Sequence, residues 1–200
     1  LEKKNLNPSE FPFENLDPAA AATALQSGSG DITAICVWNP FALQTLRTNQ
    51  KSVTITDSSE IPEEIIDMIV VGNDSLAKEG GDNFASLLCD AYYEVCKNLN
   101  HSDKTKADAT LTALGEDFSK LPLEDMRIVV KETQFYDTPE KGIALFNSDS
   151  YKKIMETVVL TCQNIEILEK SKAPPTIGYN DGEKQLNFST KYMEKVSSSK

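Results

Sequence analysis

The sequence predicts an α/β fold, on three observations. Two apolar runs without helical spacing, Asp31 to Val37 and Ile66 to Val71, read as short buried strands. A third segment, Ser52 to Asp57, alternates apolar and polar residues as a half-buried strand does. Helical patterns separate these runs and dominate after Gly72, the order expected of a βαβ-type sheet followed by a helical portion.

The elements follow from local signals. In NLDPAAAATALQSG, Asp17 is a helix cap, Pro18 fits the first turn, the alanines propagate the helix and Gly28 ends it. A second helix runs from Pro40 to about Thr48, and IPEEI bridges from the alternating strand to the run at Ile66. A short helix is expected over Asp74 to Lys78. After Gly80-Gly81, Asp82 is placed to cap a long helix reaching about Leu99, with Phe84, Leu87, Leu88, Ala91, Tyr92, Val95 and Leu99 at helical spacing. Further helices are expected in SDKTKADATLTALG, ended by Gly115, in LPLEDMRIVVKE, in TPEKGIALF, and from Ser150 to about Leu168. The tail reads as loop with a short helix at Thr190 to Val196. Two or three strong strands are few for a self-standing α/β domain, so the reading expects further strands upstream of Leu1.

Composition narrows the function. The 200 residues are 40% hydrophobic and 26% charged, ordinary for a globular chain, and the net charge of −11 comes with no Lys/Arg cluster. Nucleic acid is therefore not expected as a partner, nor an anionic membrane surface. No apolar stretch approaches the ~20 residues that span a bilayer.

Side-chain chemistry is sparse. Cys89 and Cys96, seven apart on one helix, would lie about 10 Å apart, too far for a disulfide. With Cys36 and Cys162 they read as buried core thiols. The single histidine, His101, sits in a polar loop, and no metal-ligand spacing, GxSxG or phosphate-binding glycine motif occurs. Glu63-Glu64 and Glu124-Asp125 stand at helix starts, where the helix dipole explains them.

Trp38-Asn39-Pro40 stands apart. Ligands in open α/β sheets sit beyond the carboxyl ends of strands. At that edge the indole offers a flat face and one N–H donor, Asn39 a donor and an acceptor, and the helix opening at Pro40 its free amides to an anion. The competing reading packs Trp38 under the helix, with Asn39 as its cap. Phe135 and Tyr136 form a second candidate, either stapling the helix after Thr138 or lining a cleft.

The segment LDPAAAATALQSGSGDITAICVWNPFALQTL resembles part of the ABC-transporter substrate-binding proteins that handle nitrate, taurine and other sulfonates, and thiamine-pyrimidine precursors. VTITDSSEIPEEIIDMIVVGNDSLAKE, VVKETQFYDTPEKGIALF and LNFSTKYMEKV extend the similarity over about residues 15–195. The resemblance implies a two-lobed periplasmic-binding-protein type 2 fold, incomplete because the N-terminal part of lobe one is missing. Residues 1–53 would be part of lobe two with the edge of the ligand cleft, and 54–200 a mostly helical return to lobe one. A hinge would close on a small, anionic or heterocyclic solute, and the closed form would dock on an ABC permease. Asp31, Trp38, Asn39 and Pro40 would be ligand-binding. Arg47, Pro62, Glu63 and Tyr136 would be second-layer or hinge residues, with Asp67 opening the next strand. Many relatives carry an acidic residue where Asn39 stands, and a neutral amide suits an anionic ligand better. The iron-binding cysteines of the precursor synthases have no counterpart. The expectation is a monomeric, non-enzymatic protein without cofactor or metal, periplasmic or a cell-surface lipoprotein. An enzyme on the same fold and a ligand-sensing domain are the alternatives.

Overall fold

The computed structural model describes residues 7, 10–28, 31–164, 173–180 and 184–198. The expected α/β architecture is not what it shows. Helix takes 59% and strand 3% among the described residues, and the one sheet has two short strands. The two-lobed binding-protein fold is thereby overturned. The runs at 31–37, 52–57 and 66–71 proceed without helix or turn but join no sheet among the described residues, so none is a strand. A β-branched run favours the extended backbone, but a strand exists only when a neighbour takes its hydrogen bonds.

The chain divides into two units, Leu1–Ile55 and Thr56–Lys200. The first holds a pair of packed helices, α1 (Pro18–Ser27) and α2 (Phe41–Thr48). Asp17 caps α1 by accepting from the Ala19 and Ala20 amides, and Gly28 ends it at φ 63°, as the sequence predicts. Gln26 Nε2 donates to the buried Thr45 Oγ1 at 3.1 Å, and Asn49 Nδ2 to the Leu25 carbonyl at 3.4 Å, tying the two helices together.

The second unit is helical: α3 (Asn73–Leu76), α4 (Gly81–Leu99), α5 (Lys104–Leu114), α6 (Leu123–Glu132), α7 (Pro139–Asn147), α8 (Asp149–Asn164) and α9 (Lys191–Ser198). The expected extension of α8 to Leu168 lies outside the described residues. Asp82 does not cap α4. Gly80 takes that place, and Gly81 lets α3 approach so closely that a Cβ would sit 2.3 Å from the Ser75 carbonyl oxygen. Gly115 does not end α5 in the left-handed turn; it continues into a π-helical turn, Gly115–Ser119, closed by Lys120 at φ 55°. The inward face of α4 also departs from the spacing: Ala85, Tyr93 and Cys96 are buried, while Phe84, Leu87 and Val95 are exposed. In the tail, β1 (Ile177–Tyr179) and β2 (Leu186–Phe188) pair in parallel, which the sequence reading leaves as loop.

Three apolar clusters hold this unit. Leu145, Tyr151, Met155 and Phe188 form the first, where α7 and α8 meet β2. Tyr93, Met193 and Val196 join α4 to α9, and Leu111, Leu121 and Met126 join α5 to α6. Tyr151 is fully buried, stacked on Phe146 at 5.8 Å and edge-on to Phe188 at 5.4 Å. Burial, then Tyr179, Tyr136 and Glu63, pushes its hydroxyl up to about 12.

Candidate functional site

In the first unit, residues 32–38 run straight into the turn at Asn39-Pro40 that opens α2. Trp38 is 65% exposed there, so the ring is not a core plug. Its carbonyl accepts from the Ala42 amide at 3.1 Å, and the Pro40 carbonyl from Gln44 at 3.0 Å. Asn39 Oδ1 accepts from the Leu43 amide at 3.3 Å. This corrects the expectation of free amides facing an anion. The Ala42, Leu43 and Gln44 amides of the first turn are already taken by preceding residues, and Pro40 has no N–H to offer. Asn39 therefore acts on the helix, and the flat indole is the group left facing solvent. Asp31 is exposed at the far end of the straight run, and Arg47 lies in the last turn of α2. Cys36, expected to be a core thiol, is exposed in the same run, whereas Cys96 is buried.

In the second unit, the structure brings together two of the residues singled out from sequence. Tyr136 Oη donates to Glu63 Oε1 at 3.4 Å. Glu63 stands at φ 65°, uncommon for a non-glycine residue, in the turn that begins at Pro62. Tyr136 packs with Ile66 against the first apolar cluster. Burial, then Glu63, raises its hydroxyl above the usual phenol range. One turn of chain further, Tyr151 Oη approaches Met68 Sδ at 3.8 Å. Two tyrosine hydroxyls thus hold the segment from Glu63 to Met68 onto the helices. Asp67 lies between those anchors and is exposed.

Sequence reasoning missed the groove of about 450 Å³ lined by Tyr93, Lys97, Asn100, Asp137, Thr138, Pro139, Glu140 and Ser197. Its polar groups satisfy one another. Lys141 Nζ and Asn100 Nδ2 donate to the Asp137 carboxylate at 2.6 and 3.0 Å, and Ser197 Oγ to Glu140 Oε1 at 2.7 Å. Lys141 above all holds the Asp137 carboxyl below its ordinary value. Also missed was the joint at Asn180, whose Oδ1 accepts both the Thr190 amide at 2.8 Å and the Thr190 hydroxyl at 3.2 Å. That hydroxyl stands 2.7 Å from Glu194 Oε1. The Thr-x-x-x-Glu spacing before an amphipathic helix was the available signal.

His101 Nδ1 accepts the Asp103 amide at 2.9 Å, a loop-closing role. Among the described residues no group of three or more His, Cys, Asp or Glu side chains is placed to hold a metal ion, and no helix is long and apolar enough to cross a membrane. A scan of family models, a search of curated proteins and a search of solved structures each found no match.

Proposed function

We propose that the chain is a non-catalytic solute-binding protein, the capturing component of an ABC importer, and that Trp38 receives a small planar solute. The observation that carries the reading is the exposed indole at the mouth of α2, with Asn39 committed to the helix beneath it. Water gains little from an exposed aromatic face, and a flat, electron-poor ring laid on it gains both apolar burial and a favourable quadrupole contact. Because the Ala42, Leu43 and Gln44 amides are already occupied, a pyrimidine suits the position better than a bare nitrate or sulfonate does. An aromatic pair contributes roughly 0.5–1.5 kcal/mol beyond its buried area. A micromolar Kd requires about 8 kcal/mol. Trp38 therefore orients the solute, and further surface around the ring supplies the rest. Transport, a permease partner and a periplasmic or cell-surface location rest on the family resemblance of the sequence.

Tryptophan fluorescence tests this directly, because Trp38 is the sole emitter of its kind. A pyrimidine from a panel with sulfonates and nitrate should shift or quench the emission, and Trp38→Ala should weaken its binding by at least about tenfold, measured by calorimetry. A silent panel, or equal affinity in Trp38→Ala, would overturn the reading.

A further inference from the structure

The geometry points to residues 66–71 as a docking edge for a β-strand from another polypeptide, an apolar strand flanked by Lys or Arg. This stretch, IDMIVV, runs without helix, turn or bend and without a positive φ. Among the described residues its backbone takes part in no backbone–backbone hydrogen bond and in no sheet. Residues 67–70 are exposed and 66 and 71 half-buried, so the row of peptide groups is open to a neighbouring strand, the usual partner of an extended run.

One side of the run is already fixed. Ile66 packs on the first apolar cluster, Met68 meets the Tyr151 hydroxyl, and Glu63 just before them meets Tyr136. Met68 is nonetheless 42% exposed, and Asp67, Ile69 at 53% and Val70 at 76% stand in solvent. An extended chain held on one side and open on the other is prepared for strand addition. Main-chain hydrogen bonds then give affinity, and part of the ordering cost has been met in folding.

Charge selects the occupant. From Ser52 to Ala77 the chain carries Asp57, Glu60, Glu63, Glu64, Asp67 and Asp74 and no Lys or Arg. A second copy brings the same acids and a net charge of −11, so self-pairing is opposed. A strand with basic flanks is attracted.

The test uses the whole chain and a short synthetic peptide of alternating valine and threonine with lysine at both ends, alongside the same peptide ended by glutamate. Amide exchange at 66–71 should slow on adding the lysine peptide, and it should bind roughly tenfold more tightly than the glutamate peptide at low salt. Successive strand amides face opposite edges. Of Ile69→Pro and Val70→Pro, one should therefore weaken binding by roughly tenfold. Both exposed positions leave the helices intact, which far-ultraviolet circular dichroism checks. The proposal is overturned if 66–71 stay unprotected at saturating peptide, if the two peptides bind equally, if both proline variants bind like the parent, or if the chain dimerises through this stretch instead.

Discussion

The helices from Gly81 to Ser198 and the straight runs before them follow opposite rules. In the interiors of α4, α7 and α9 each turn hydrogen-bonds to the next, and apolar residues such as Tyr93, Met193 and Val196 meet across short distances. In residues 53–56 and 66–71 the backbone finds no main-chain partner among the described residues, and Val53, Ile55 and Val70 stand 77%, 81% and 76% exposed. A helix is complete in itself, whereas a strand is half of an interaction. The comparison teaches that an apolar run can be fully specified in sequence and still lack its fold.

The largest effect that sharpens this contrast is a core deletion. Tyr151→Ala should cost about 3–5 kcal/mol in chemical denaturation followed by helical circular dichroism. Val70→Ala, the same kind of truncation on the straight run, should stay within about 0.5 kcal/mol. Equal losses would erase the distinction between the regions. Next comes the crossing of α7 and α9. A Cβ on Gly142 would lie 2.6 Å from Met193 Sδ and 3.0 Å from the Tyr93 hydroxyl. Gly142→Ala should therefore destabilise by about 1–3 kcal/mol, a penalty that Met193→Ala relieves in part. Unchanged stability would show that the flexible thioether yields freely.

A smaller loss, about 1–2 kcal/mol, is expected for Thr190→Val. It removes a buried hydroxyl that joins Asn180 to Glu194 at the start of α9. Amide exchange should rise in α9 and β2 and leave α5 unaltered; a uniform rise throughout would contradict a local joint.

The smallest effect is acid-dependent. Lys191, then Tyr192, holds the Asp82 carboxyl below its ordinary 3.8. The folded value lies below the unfolded one, so the contribution is present above about pH 4 and lost as pH falls through the folded value. Asp82→Asn should lower the midpoint of thermal unfolding slightly at neutral pH, and that difference should close in stronger acid. A gap that persists at low pH would assign the effect to something other than this ion pair.

What the sequence made legible divides along the same line. Asp17 with Pro18, Thr138 with Pro139 and Gly28 are local devices, and each performs in the structure the role its chemistry predicts. Asp82 carries the right chemistry but lost its place to a glycine pair under α3, whereas Gly115 does follow the last residue of α5, though in a right-handed conformation that leads into a π turn against Leu121. The runs at 31–37, 52–57 and 66–71 have the composition of strands, but pairing is not a local property and could not be read. Of the site residues, the exposure of Trp38 and the meeting of Glu63 with Tyr136 depend on turns whose residues were visible. Asn39 bonding the first turn of α2 was one of the two readings the sequence offered, whereas the tasks of Asn180 and Tyr151 depend on what stands opposite them, which no spacing encodes.

The most direct measurement is amide hydrogen exchange on the intact chain alone, comparing residues 66–71 with residues 85–96 of α4. The account predicts exchange near the unprotected rate in the first stretch and strong slowing in the second. Protection at 66–71 equal to that in α4 would mean that the run already has its partner, and would contradict the account.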